Sequence, residues 1–311
     1  MAKLAFLFPG QGSQYVGMGR DLYENFLEAK EIFEQANDIL HFNLMCLCFH
    51  GPEEELTQTK NTQPAIFIHS RAALRLLEKE GIKPAFTAGH SVGEYAALVA
   101  SEAISFVDVL PLVRLRGELM FEAGLRKPGA MAAIIGLEPD KIEEVCKKVQ
   151  EKGIIQPANF NSPEQIVISG EEKAVEGAME LAKEAGAKRA IRLEVSGAFH
   201  SPLMEYAYDG LKEALKDLLI KDTKAPLIAN VTAEPLEEAE KIRELLAEQL
   251  LKPVRWEESI RKLVALGADT FVEVGPSQVL KGLMKRIEPS AKVLNVEDTK
   301  GLEETLKILK G

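Results

Sequence analysis

Cysteine is scarce in this 311-residue chain: Cys46, Cys48 and Cys146 are the only three. The number is odd, and Cys46 and Cys48 are too close in sequence for an ordinary disulfide. No companion Cys/His pairs stand near them, so neither a disulfide framework nor a zinc site is expected. A reducing, cytoplasmic setting fits that usage. Long hydrophobic runs are missing as well. The apolar stretch after Lys3 covers five residues before Pro9, too short for a signal-peptide core, and no run approaches a membrane span. Basic charge is also in deficit. Lys and Arg total 38 against 48 Asp and Glu, a net charge of −10, which excludes a general nucleic-acid binder and favours solubility. Repeats and low-complexity linkers are absent. What is present, 46 % hydrophobic and 28 % charged residues, describes a globular protein with room for one large domain or two unequal ones.

The chain is organised around Gly89-His90-Ser91-Val92-Gly93, a Gly-x-Ser-x-Gly pattern. Pro84–Ala88 before it is short and apolar enough for a buried strand, and Glu94–Ala100 after it reads as a helix. Strand, sharp turn and helix is the context that raises a serine to the apex of a nucleophile elbow. The glycines permit a cramped turn that a side chain would obstruct. The helix N-terminus beneath offers free N–H groups and the positive end of a dipole to a developing oxyanion. The plainer alternative is a glycine-rich turn carrying an incidental serine.

Ahead of the elbow, Lys3–Pro9 is an expected strand buried on both faces. It runs into Gly10-Gln11-Gly12-Ser13-Gln14. A dinucleotide fingerprint fails there, because Tyr15 replaces the third glycine and Pro9 crowds the turn. Paired glycines still indicate close approach of a ligand or of backbone, with Gln11 between them. Asp21–Leu40 has helical periodicity, and Gln63-Pro64-Ala65 is expected to open a second helix with proline in its first turn. Asp108–Ala123 is a third helix. It carries Arg114 and Arg116, which point to different faces; the spacing does not say which one is inward.

A compositional break at Gly124 and Lys127-Pro128-Gly129 introduces a segment with its own order: strand Met131–Gly136, helix Pro139–Gln150, strands Ile154–Asn159 and Gln165–Ser169, helix Glu171–Ala185, strand Lys188–Glu194. That is the ferredoxin-like split unit. Asn159 and Asn161 are expected in its inter-strand turn. The remainder returns to alternating strands and helices. Asn230-Val231-Thr232 matches a glycosylation acceptor by chance.

The chain has five histidines. His41, His50 and His69 sit in ordinary helical or loop contexts, and His90 lies inside the elbow. His200, in Gly197-Ala198-Phe199-His200-Ser201-Pro202, stands at a loop-to-helix junction where Ser201 can cap and Pro202 can open a helix. It is the candidate general base for Ser91. Serine and histidine together point to acyl transfer through a covalent ester. Asp108 and Asp140 lie between them but are explained by helix starts. A triad acid and a carbonyl-oriented dyad both remain open.

Several blocks together resemble the malonyl-CoA:acyl carrier protein transacylase family. They are Phe8–Gln14, Gly89–Glu94, Val113-Arg114-Leu115-Arg116-Gly117, Gly197–Ser201, and Gln249 followed by Pro253-Val254-Arg255-Trp256, with Thr62–Ala65 and Asn159–Pro163 in support. They occur in the family's order and cover most of the chain. The resemblance implies an α/β fold: a large hydrolase-like domain with a central, mainly parallel sheet, formed by 1–124 and 197–311, and a ferredoxin-like domain inserted at 125–196. It implies Ser91 as nucleophile and His200 as base and later acid. The backbone N–H groups of Gln11 and Val92 would form the oxyanion hole. Arg116 would hold the malonyl carboxylate, Gln63 would line the pocket, and the main-chain carbonyl of Gln249 would orient His200. Val92 after the serine and Phe199 before the histidine resemble the malonyl-selective type, a bulky Phe199 leaving little room for an α-methyl group. The substrate would be malonyl-CoA. The partner would be an acidic acyl carrier protein, met by a local basic patch such as Lys183, Lys188, Arg189 or Lys285. No metal and no resident cofactor are implied. A free-standing, monomeric, cytoplasmic enzyme of fatty-acid synthesis is expected. The main rival is a serine thioesterase or esterase with the same elbow, which has no use for Arg116 or for Gly10-Gln11-Gly12. A catalytically silent binding module is the second rival.

Overall fold

The structure is a computed structural model, described for residues 3–311; Met1 and Ala2, at the start of the expected large domain 1–124, lie outside the described residues. Among the described residues the strands are, in chain order, β1 (Leu4–Phe8), β2 (Phe86–Gly89), β3 (Ala130–Ile135), β4 (Ile155–Ser162), β5 (Gln165–Gly170), β6 (Arg189–Arg192), β7 (Leu227–Ile228), β8 (Pro235–Leu236), β9 (Thr270–Val274) and β10 (Lys292–Val296). Six of them form one sheet in the order β10-β9-β1-β2-β7-β8. Its pairings are parallel except for β7 with β8. The unbroken apolar run of β1 explains its central position. Phe6 and Phe8 pack into one core while Ala5 and Leu7 pack into another on the opposite face, as a strand buried on both sides requires.

The remaining four strands form an antiparallel sheet ordered β4-β5-β3-β6. Helix Pro139–Val149 connects β3 to β4, and helix Glu172–Glu184 connects β5 to β6. This is the ferredoxin-like split unit. It has its own core of residues such as Ile134, Val145, Ile168 and Val175. The fold is therefore α/β, a mainly parallel hydrolase-like sheet with a ferredoxin-like unit inserted into its chain. Backbone bonds join the two units: Val254 N–H donates to Ala158 O at 2.8 Å, and Phe160 N–H to Val254 O at 2.9 Å. They align β4 with the chain entering helix Trp256–Ala265.

Three local expectations are corrected. The Asp21–Leu40 periodicity belongs to two helices, Arg20–Asn25 and Leu27–Leu40, separated by Phe26 in an extended conformation. Asn25 Nδ2 bonds to the Asp21 carbonyl at 2.8 Å, a side-chain competitor for backbone groups of the kind that ends helices. The helix expected to open at Gln63 opens four residues earlier and runs Thr59–Lys79 with Pro64 inside it. The N–H that proline lacks would have met the Lys60 carbonyl; that carbonyl instead accepts Arg114 Nη1 at 2.8 Å. Asn159 and Asn161 are strand residues of β4, because β4 runs on to Ser162 before the turn.

Candidate active site

Ser91 follows the C-terminal end of β2 and precedes helix Gly93–Ala100. Its φ is 52°, in the left-handed region where a side chain is strained. The flanking glycines have steric causes. A Cβ on Gly89 would overlap the backbone of Gly93, and a Cβ on Gly93 would overlap the Phe8 carbonyl at the end of β1. The turn is clamped from a distance. Asn230, just beyond β7, accepts the Ser91 N–H on Oδ1 at 2.8 Å and donates Nδ2 to Gly89 O at 2.6 Å.

Ser91 Oγ lies 2.9 Å from His200 Nε2, and His200 Nδ1 lies 2.7 Å from the Gln249 carbonyl oxygen. A carbonyl only accepts, so Nδ1 carries the proton and the Nε2 lone pair faces the serine hydroxyl. Gln249 caps the C-terminus of helix Ala239–Glu248. Its carbonyl is thus one of the helix's free terminal acceptors, at the negative end of the dipole, where an imidazolium is favoured. The partner of Nδ1 in this place is a main-chain carbonyl and not a carboxylate. Gln156 Nε2 holds the His200 carbonyl from behind at 2.7 Å. Burial, and then the charge of Arg116, push His200 down to about 3, against the pull of the Gln249 carbonyl.

Of the two arginines, Arg116 is the inward one, with 0 % exposure. Arg114 lies outward, on Glu118 at 2.6 Å and Asn61 at 2.7 Å. The Arg116 guanidinium donates to neutral oxygens: Gln63 Oε1 at 2.6 Å, Gln249 Oε1 at 2.7 Å and Ser91 Oγ at 3.2 Å. It also lies over the Tyr95 ring, 5.6 Å from its centroid. Burial lowers its proton affinity, which still leaves a guanidinium charged. Gln63 is held by Met120 on its other side. Phe199 is buried in the main core beside His200.

Gln11 sits in the turn after β1, its Nε2 on Thr59 Oγ1 at 3.3 Å. Among the described residues, the backbone N–H groups of Gln11 and Val92 have no backbone acceptor outside regular elements. A cavity of about 530 Å3 between the two units is lined by Gln11, His90, Asn159, Asn161, Val195 and Leu280. His90 Nε2 meets Asn161 Oδ1 at 2.8 Å on its wall. A second cavity of about 660 Å3 is lined by Cys146, Phe160 and Arg261; Ser91, His200 and Arg116 line neither cavity. No cluster of three or more His, Cys, Asp or Glu capable of holding a metal occurs among the described residues, and no helix there is long and apolar enough to cross a membrane.

Spacing did not reveal Asn230 or Glu94. Asn230 looked like a chance acceptor pattern, and Glu94 like an ordinary helix residue. The available signal was Glu94's place in the first turn of a helix whose other residues are apolar or small. It is 2 % exposed. Burial pushes its carboxyl up to about 7, against hydrogen bonds from Asn230 and Gln249 and the charge of Arg116.

A serine raised on a strained turn, a histidine with a free lone pair and unpaired N–H groups nearby define the acyl-transfer class of serine enzymes. The comparisons agree: residues 5–301 match the acyl transferase domain family, and the chain belongs to it. Within that family several relatives carry one name. It is 52 % identical, over 100 % of this chain and 98 % of the other, to a malonyl CoA-acyl carrier protein transacylase of Bacillus subtilis. Its structure matches the transacylase of that name from Coxiella burnetii with TM-score 0.96 and 42 % identity, covering 100 % of this chain and 98 % of that one. It also matches a malonyl-transacylase solved in complex with a type II polyketide acyl-carrier protein, with TM-score 0.95 and 42 % identity over 99 % of this chain and 100 % of that one.

If the lone pair of His200 is available throughout the neutral range, its ring should not titrate there. Lowered from 6.5 to about 3, the imidazole stays in its neutral form, with the Nε2 lone pair free, well to the acid side of neutrality. Ring resonances followed by NMR in the free protein should show no midpoint for His200 between about pH 5 and 8. A midpoint near 6.5 would contradict the buried environment described above.

Proposed function

We propose that the chain transfers the malonyl group from malonyl-CoA to the phosphopantetheine thiol of acyl carrier protein through a malonyl ester on Ser91, supplying extender units for fatty-acid synthesis. The observation that carries this reading is the convergence of a base and a buried cation on one hydroxyl. His200 Nε2 lies 2.9 Å, and Arg116 Nη2 3.2 Å, from Ser91 Oγ. A hydrolase of simple esters needs only the first. A buried guanidinium whose hydrogen-bond acceptors are neutral suits an acyl group ending in a carboxylate, which it can grip bidentately.

The reaction proceeds in two similar halves. Malonyl-CoA enters with its carboxylate on Arg116. Nε2 of His200 removes the Ser91 proton as Oγ attacks the thioester carbonyl. The oxyanion formed is held by the N–H groups of Gln11 and Val92, each such donor contributing about 3 kcal/mol in comparable sites. When the tetrahedral intermediate collapses, the C–S bond breaks and the sulfur of CoA takes the proton from His200. The carrier's thiol then gives its proton to His200 and attacks the ester; the C–O bond breaks and His200 returns the proton to Ser91 Oγ. Gln249 orients the histidine, Gln63 orients the arginine, and Phe199 limits the space at the acyl end. Kinetics are ping-pong.

All of these groups come from one chain, which supports a monomer as the working unit, with residues 125–196 as the smaller of its two parts. We read the setting as cytoplasmic. For the carrier, Lys285 and Arg189 are exposed, and the helix bearing Lys285 reaches β5 through Arg286 Nη1 and Gln165 Oε1 at 3.5 Å. Lys188 is partly engaged by Glu164 at 3.4 Å.

Intact-protein mass spectrometry tests the reading. Mixing with malonyl-CoA should give a persistent malonyl adduct that disappears on addition of holo acyl carrier protein as the carrier gains the group. An adduct lost to water at the same rate without carrier would make the protein a thioesterase. No adduct with any acyl-CoA would leave only a binding module.

A further inference from the structure

Glu94 is a buried carboxyl that the reaction above does not use. Its Oε1 accepts the backbone N–H of Asn230 at 2.9 Å, and its Oε2 accepts the side-chain Nε2 of Gln249. The same Nε2 donates to the Ser91 carbonyl at 3.1 Å, while Oε1 of that amide accepts Arg116 Nη2 at 2.7 Å. The Gln249 side chain therefore stands between a buried carboxyl and a buried cation. Its main-chain carbonyl serves His200 independently.

We propose that Glu94 is a positioning residue: it fixes the orientation of the Gln249 amide and thereby aims Arg116 at the acyl end of the site. An amide is nearly symmetric in shape but opposite in polarity at its two ends. With an acceptor-only carboxylate and the Ser91 carbonyl on one side, only the NH2 end can face Glu94. The oxygen is then turned to Arg116, which has donors and no acceptors. Reversal would set oxygen against oxygen on one side and N–H against N–H on the other. The carboxylate thus acts on the guanidinium at one remove, leaving Arg116 free of a direct protein counter-ion and available to a substrate carboxylate. This inference rests on the reading of Arg116 as the malonyl clamp.

Glu94→Gln tests it with little change of volume. The new amide can keep its oxygen on the Asn230 N–H, but its NH2 then opposes Nε2 of Gln249. Turning Gln249 over relieves that clash and places an NH2 group against Arg116. The measurement is kcat and KM for malonyl-CoA and for acetyl-CoA, which lacks the carboxylate. It is made at about pH 8, above the value of about 7 to which burial raises Glu94. The expected result is a rise in KM for malonyl-CoA and a fall in the malonyl-to-acetyl ratio of kcat/KM on the order of 10- to 100-fold, the scale of a misaimed binding group. In an Arg116→Ala background the same substitution should change the ratio no further, since both act on one contact. Equal losses for both substrates, or an additional loss of ratio without Arg116, would assign Glu94 to the fold or to the serine chemistry and overturn the proposal; so would an unchanged ratio. If Arg116→Ala alone leaves the ratio intact, it is the clamp reading that fails. Should Glu94→Gln not fold, as judged by circular dichroism, Gln249→Met removes the relay while keeping the main-chain carbonyl under His200. The ratio should then collapse in the same way, and a retained ratio would sink the proposal.

Discussion

Replacing Ser91 by Ala is expected to abolish transfer, lowering turnover by roughly 10^5- to 10^6-fold, while leaving the protein folded. The size follows from the removal of the nucleophile itself: in serine enzymes built as a unit, losing the serine forfeits nearly all the rate that the nucleophile and its base provide together. His200 would keep its bond to Gln249 but have no proton to take, and Arg116 would lose its contact at 3.2 Å. Stability should change little, because alanine at a φ of 52° bears much the same backbone strain as serine. Ser91→Gly separates the two quantities. Glycine adopts that region freely, so the variant should be equally inactive yet more stable by about 1 kcal/mol, the scale of left-handed strain for an L-residue. Turnover and thermal melting of wild type and both variants decide the matter. Appreciable turnover in either would remove Ser91 from the mechanism. A glycine variant no more stable than wild type would mean that the elbow stores no strain.

That strain also shows what a sequence can display. The elbow was legible because its requirements are local. Two glycines flank a serine, a strand leads in and a helix leads out, and each residue answers to neighbours within a few positions. The split β-α-β-β-α-β unit was legible for a similar reason, since its periodicities follow one another along the chain. The choice between Arg114 and Arg116 was not decided by spacing. It depends on where helix Phe106–Arg126 meets Gln63 and Gln249, residues 53 and 133 positions away from Arg116. Asn230 was missed because its work is done 139 positions away, on the backbone of Ser91. Glu94 was missed because its helix position looks exposed until Asn230 and Gln249 close over it. The break at Phe26 and the early start of the Thr59–Lys79 helix were invisible for a related reason. Each depends on which side chain takes a backbone carbonyl: Asn25 takes that of Asp21, and Arg114 that of Lys60. Family resemblance supplied roles for Gln249 and Arg116 that spacing alone did not.

Replacing Arg116 by Ala should convert a malonyl-preferring site into one with little preference. The guanidinium is fully buried, so a substrate carboxylate reaching it would be desolvated and paired at once. Truncating one member of such a pair costs about 3 kcal/mol, roughly 10^2-fold in kcat/KM for malonyl-CoA. Acetyl-CoA makes no such pair, so its kcat/KM should fall far less, and the ratio of the two should drop by most of that factor. Arg116→Lys should not restore it. The fork now meets Gln63 at 2.6 Å, Gln249 at 2.7 Å and Ser91 at 3.2 Å; an ammonium on a shorter stem cannot reproduce those directions and still offer two parallel donors to a carboxylate. The alanine variant would also orphan the oxygens of Gln63 and Gln249, so some loss common to both substrates is expected from the disturbed site. The ratio, unlike either rate alone, cancels that shared loss. A malonyl-to-acetyl ratio preserved in Arg116→Ala would mean that the malonyl carboxylate binds away from this guanidinium, and that the buried cation serves the serine or the fold instead.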